Sequence, residues 1–206
     1  MLPRNPVPVW LAQGLLIAAM FLCAAPLKAR SAPLQAGADP AQSIKLYLEQ
    51  ATTGTILTVR GPQGGFTLQD NGLKPRWFVA GGTGLAPLLS MLRRMAEWQE
   101  PHPVRLYLGV NRTDDLFGET LLAELQNSLP ALQIIRCVWQ PGADWTGFCG
   151  TPADALAQDL PAGGGEQPDI YICGPSALVS AAEEQARARG IPDGSLFSER
   201  FLPAAR

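Results

Sequence analysis

Arg76-Trp77-Phe78-Val79-Ala80-Gly81-Gly82-Thr83-Gly84-Leu85-Ala86-Pro87 is the stretch that decides the fold. A short apolar run stops at a cluster of glycines, and Leu88, Leu89, Met91, Leu92 and Met95 then recur at helical spacing. Strand, glycine turn and helix in that order suit a diphosphate. Glycines permit φ > 0 and close backbone approach, while a helix N-terminus offers free N–H groups and a partial positive charge. Pro87 falls in the first helical turn, where its missing N–H costs nothing. The spacing is G-x-G-x-x-P, not G-x-G-x-x-G, and no Gly-Lys-Ser/Thr follows, which argues against a P-loop nucleoside triphosphatase.

Working outward, the pattern predicts strands over 76–80, 104–110, 132–139, 169–173 and 196–198, separated by helices over 86–98, 118–128, 152–160 and 176–189. Each parallel crossover needs a dozen or more residues, which these helices supply. The expected fold is therefore α/β, a doubly wound five-stranded parallel sheet covered on both faces. Ligands of such sheets lie beyond the carboxyl ends of the strands, so the segments after Ala80, Val110, Trp139 and Cys173 are the candidates.

After the second strand come Asn111, Arg112, Thr113, Asp114 and Asp115, where an adenosine ribose would lie. Arg112 is placed to stack on adenine or meet a phosphate. Asp114 or Asp115 would accept from ribose hydroxyls and repel a 2′-phosphate, favouring NADH over NADPH; equally, either is suited to cap a helix. After the fourth strand come Cys173, Gly174 and Pro175. By itself Cys173 reads first as a small buried hydrophobe, with no lysine or histidine nearby in sequence to lower its pKa. Ser176 is not in a G-x-S-x-G elbow. His102 is expected to be exposed, at the end of the sheet away from the site. Trp145, Gly147 and Gly150 read as a turn.

Composition narrows the function classes. The 206 residues carry 16 Lys and Arg against 18 Asp and Glu, a net charge of −2, which supplies no basic surface for nucleic acid. Charged residues are 17%, below a usual share of about 25%, and the 21 glycines and 19 prolines exceed the usual combined share of roughly 12%. The four cysteines form no C-x-x-C and lack the C-x4-C-x2-C spacing of an iron–sulfur loop, which fits a reducing compartment. A single histidine excludes Cys2His2 and H-E-x-x-H zinc sites, so no metal site is expected. Residues 5–27 carry no charge, as in a signal or anchor segment, but prolines 3, 6, 8 and 26 with Gln13 and Gly14 make a poor spanning helix.

Three segments together, 76–87, Tyr171-Ile172-Cys173-Gly174-Pro175 and Glu199-Arg200-Phe201, resemble the nicotinamide-binding half of the ferredoxin–NADP reductase superfamily. The resemblance is strongest to reductase components of multicomponent oxygenases of the soluble methane monooxygenase type, with Gly109-Val110-Asn111 and Asp144-Trp145 also matching. It covers residues 46–206. It implies that Gly81, Gly82, Thr83, Gly84 and Pro87 cradle the pyrophosphate of NAD(H). It implies that Cys173, with Gly174 and Pro175, lies beside the nicotinamide as a positioning residue for hydride transfer, and that Glu199 and Phe201 lie near flavin and nicotinamide. Gly61, Pro62, Gly64 and Phe66 match the end of a flavin-binding barrel.

The resemblance also has gaps. The R-x-Y-S flavin motif is absent, and Gln42-Ser43-Ile44-Lys45 does not match the G-x-x-S segment expected there. The expected organisation is an unmatched apolar leader at 1–44, a C-terminal remnant of an antiparallel FAD-binding barrel at 45–73 and an NAD(P)-binding domain at 74–206, the pattern of a truncated or frameshifted reading frame. The implied activity is hydride transfer from NADH to FAD, then electron delivery to an oxygenase or ferredoxin-type acceptor, in the cytoplasm; a membrane-anchored or exported form through 5–27 is the alternative location. The alternative function is a non-catalytic nucleotide-binding remnant.

Overall fold

The computed structural model describes residues 65–70, 72–161 and 166–201; the apolar leader, most of the expected barrel remnant, and Gly61, Pro62 and Gly64 lie outside the described residues. The chain divides into two compact units, Met1–Gly65 with Ala204–Arg206, and Phe66–Pro203. The second unit is a wholly parallel sheet between helices. In chain order it runs β1 (Arg76–Gly81), α1 (Leu85–Glu97), β2 (Val104–Arg112), α2 (Glu119–Ser128), β3 (Leu132–Gln140), β4 (Phe148–Cys149), α3 (Pro152–Asp159), β5 (Asp169–Pro175), α4 (Ser176–Ala188) and β6 (Leu196–Phe201).

The strand order is β4-β3-β2-β1-β5-β6. From β1 the chain steps outward through β2 and β3. It then returns through α3 to lay β5 against the other edge of β1, so the direction of winding reverses between β1 and β5. Alternate residues face opposite sides, as the two-residue period of a strand requires. Trp77 and Val79 of β1 and Ile170 and Ile172 of β5 pack with Leu156 of α3 and with Val179 and Ala182 of α4 in one buried cluster. On the opposite side, Phe78 stacks on Tyr171 with ring centroids 5.2 Å apart, and Tyr171 stacks on Phe197 at 4.9 Å. Helix α1 buries Leu85, Leu88, Leu89, Met91, Leu92 and Met95, the 3–4 spacing that marked it in the sequence.

All five expected strands are present, and a sixth, β4, is added at the edge. It has two residues, too few for a periodic signal, and pairs Cys137 with Phe148 and Val138 with Cys149. All five also run beyond their expected ends: Gly81 pairs with Gly109, Arg112 with Gln140, and Pro175 with Phe201. Asn111, Arg112, Gly174, Pro175 and Glu199 to Phe201 are therefore held by sheet pairing and are not loop residues. No helix among the described residues is long and apolar enough to cross a membrane.

Candidate functional site

At the point where the winding reverses, the glycine turn after β1 meets the end of β5. Gly82, Thr83 and Gly84 form one turn of 3-10 helix that runs directly into α1. The two properties expected of the glycines fall on different residues. Gly82 has φ +53 with open space around it, so its need is conformational. Gly84 has φ −59, an ordinary helical value. Its need is steric: a Cβ there would overlap the Cys173 carbonyl and lie 2.9 Å from Gly174 Cα. Gly174 returns the contact, since its Cβ would lie 3.1 Å from Gly81 N, and a Cβ on Gly81 would lie 2.9 Å from Pro175 Cδ. The two glycine segments therefore interlock backbone against backbone. Neither Gly81 nor Gly84, the residues at the cap positions of the turn and of α1, provides a side-chain acceptor for the helix amides. Thr83 and Pro87 are half-buried on this turn.

Cys173 is fully buried at the end of β5, and its Sγ lies 4.0 Å from Glu199 Oε2 on β6, its direct neighbour in the sheet register. Burial, with a smaller contribution from the Glu199 charge, pushes the thiol up to about 12. A thiol shifted this way favours its protonated form near neutrality. Glu199 is exposed on its strand, and Phe201 is 37% exposed at the strand end.

A second concavity lies farther along the same strand ends. Arg112, Thr113, Asp114, Gln140, Pro141 and Gly142 line a cleft of about 290 Å³. Asp115 accepts from the Arg112 N–H at 2.9 Å and so tightens the turn, whereas Asp114 lines the cleft. The two aspartates that the sequence left equivalent thus separate into one turn-forming and one facing a ligand-sized space. Thr113 Oγ1 accepts from Gly142 N at 3.3 Å and joins the two walls. Gln140 opens the segment after Trp139 that the sequence singled out, and the register that pairs it with Arg112 brings it here.

Other expected residues sit elsewhere. Phe66 packs on Tyr171, with centroids 6.4 Å apart, and extends the aromatic stack. His102 is buried, not exposed: one ring nitrogen, Nε2, lies 2.8 Å from Gly72 O, and Nδ1 lies 3.3 Å from Glu100 Oε2, which also pairs with Arg76. Arg76 Nη2 in turn donates to Gln69 O at 3.2 Å. This network ties Gln69 and Gly72 to the start of the sheet, at the opposite end of β1 from the glycine turn. Its signal in the sequence is weak, since its members are spread over more than thirty positions.

Residues 78–184 match the oxidoreductase NAD-binding domain family. Among curated relatives, the propane 2-monooxygenase reductase component of Rhodococcus jostii is 31% identical over 159 residues, 75% of this chain and 42% of its own. The 2-halobenzoate 1,2-dioxygenase electron transfer component of Burkholderia cepacia is 37% identical over 156 residues, 75% of this chain and 45% of its own. Methane monooxygenase component C of Methylosinus trichosporium is 41% identical over 117 residues, 56% of this chain and 34% of its own. A cytochrome P450 reductase from Amycolatopsis superposes with a TM-score of 0.64 and 30% identity, covering 70% of this chain and 44% of that one. The chain thus spans less than half the length of these relatives.

Proposed function

The chain belongs to the oxidoreductase NAD-binding domain family, of the ferredoxin reductase type, and on that premise we propose that it binds NADH across the ends of β1, β2 and β5 as the nicotinamide half of an oxygenase electron-transfer reductase. The observation that carries this reading is the interlock of the Gly81–Gly84 turn with Cys173 and Gly174, because it brings uncapped helix amides to the place where the sheet reverses its winding.

In this reading the amides of Gly82, Thr83 and Gly84 hold the pyrophosphate at the start of α1, and Pro87, which has no N–H to offer, shapes that first turn. Arg112 and Asn111 face the adenosine, and Asp114 accepts from its ribose hydroxyls, disfavouring a 2′-phosphate and hence NADPH. Cys173, with Gly174 and Pro175, shapes the nicotinamide end, where Glu199 and Phe201 close the crevice. FAD, when bound, would accept the hydride and release electrons one at a time to an oxygenase or ferredoxin-type partner. Residues of this chain toward it are Glu199 and Phe201. Their part is orientation and exclusion of water.

The test is a titration of the purified chain with NADH, followed by fluorescence, and then ferricyanide reduction after addition of FAD. Saturable NADH binding and flavin-dependent ferricyanide reduction support the full reading. Binding without reduction supports the nucleotide-binding remnant instead, and absence of binding overturns both.

A further inference from the structure

Glu183 of α4 is 12% exposed and gathers donors from two elements. Its Oε1 accepts from Ser198 Oγ at 2.6 Å, and its Oε2 pairs with Arg200 Nη2 at 2.9 Å and Arg187 Nη1 at 3.4 Å. Arg200 Nη1 donates in addition to Ser180 Oγ at 2.8 Å, so this guanidinium spans nearly a turn of α4. Ser176 Oγ, at the start of the helix, donates to Phe201 O at 3.5 Å. Ser198 and Arg200 lie on one face of β6 and Glu199, between them, on the other. The clamp on α4 therefore holds the positions flanking Glu199. Among the described residues strand β6 is at the sheet edge, paired with β5 alone, and its residues from Ser198 onward are exposed.

We propose that Glu183 is a positioning residue: by holding Ser198 and Arg200 against α4, it keeps the Glu199 carboxylate beside the Cys173 thiol at the reactive end of the crevice. The functional importance of that end rests on the reading given under Proposed function; the positioning itself does not. Both acceptor oxygens are used, Oε1 on a hydroxyl and Oε2 on the guanidiniums of Arg200 and Arg187. Glutamine retains an acceptor for Ser198 but weakens the pair with Arg200, whereas alanine removes both.

Proximity of positions 173 and 199 can be read without any cofactor. In the full-length chain carrying Glu199→Cys and Cys149→Ser, mild oxidation should form a disulfide with Cys173, since the two positions are register partners on adjacent strands. Tryptic mapping by mass spectrometry identifies the linkage. Adding Glu183→Ala should slow trapping about tenfold, the scale of a lost charge-assisted contact, and raise amide exchange over 198–201. Glu183→Gln should restore most of the rate. A trapping rate unchanged by Glu183→Ala overturns the proposal, as does failure of the Glu183 parent to trap. NADH titration of the unsubstituted chain separates the two readings: an unsubstituted chain that does not bind NADH sinks the proposed function, while the effect of Glu183→Ala on trapping still decides the positioning role.

Discussion

A methyl group on Gly84 would collide with the Cys173 carbonyl, whereas one on Gly82 would meet open space but require φ +53 from a residue with a Cβ. The two substitutions should fail differently. Gly82→Asn should be tolerated at a cost below about 1 kcal/mol, because Asn visits the left-handed region readily. Gly84→Asn should separate β1 from β5 at the crevice, costing about 1–3 kcal/mol as overpacking does, and weaken NADH binding at least about tenfold. Urea titrations and NADH titrations of both variants check this, and equal losses would remove the assignment of close approach to Gly84. The glycine motif was legible in the sequence because its order, strand then turn then helix, is local. The division of labour within it was not, because Gly84 is constrained by residues ninety positions away. His102 shows the same limit: nothing near it in sequence announces that Gly72 and Glu100 enclose it.

Among the elements, α3 shows how a local signal and a distant contact combine. Thr151 and Asp154 form a reciprocal capping box, with Asp154 N donating to Thr151 Oγ1 at 3.2 Å and Thr151 N to Asp154 Oδ2 at 2.9 Å, and Pro152 follows at the first helical position. That start presses the Pro152 ring onto β2, where a Cβ on Gly109 would overlap it. Thr151→Ala should therefore cost about 1 kcal/mol and leave NADH affinity unchanged, since the cap is on no wall of the crevice; thermal melting and NADH titration together test this. A large loss of affinity would mean that α3 supports the crevice directly. Helix α3 and strands β1, β2, β3 and β5 were readable from their periodicity. Strand β4 was not, having two residues, and neither were the last residues of β2, β5 and β6, whose glycine, proline and charge read as loop while pairing with neighbours holds them extended.

For the unit 66–203 as a whole, burial of titratable groups links its stability to pH. Cys173 lies under the crevice and Cys137 in the core beneath α3, and burial pushes both thiols from 9.0 up to about 12. In the unfolded chain each thiol ionises near its ordinary value, so above that pH the unfolded state binds fewer protons than the folded one and stability falls as pH rises. The contribution is fully present below about pH 9 and disappears between about 9 and 12. Between about pH 8 and pH 10 each thiol should remove about 1 kcal/mol of unfolding free energy. Burial raises Tyr107 and Tyr171 as well, with the same sign, but from 10.0, so the tyrosines enter mainly above that interval. Urea titrations at pH 8, 9 and 10 should show this decline in the parent. Cys137→Ala and Cys173→Ala, whatever they cost through lost packing at pH 8, should each flatten it, and the double variant should be nearly flat. A double variant that declines as steeply as the parent would assign the pH dependence to other groups and remove the thiols as its source.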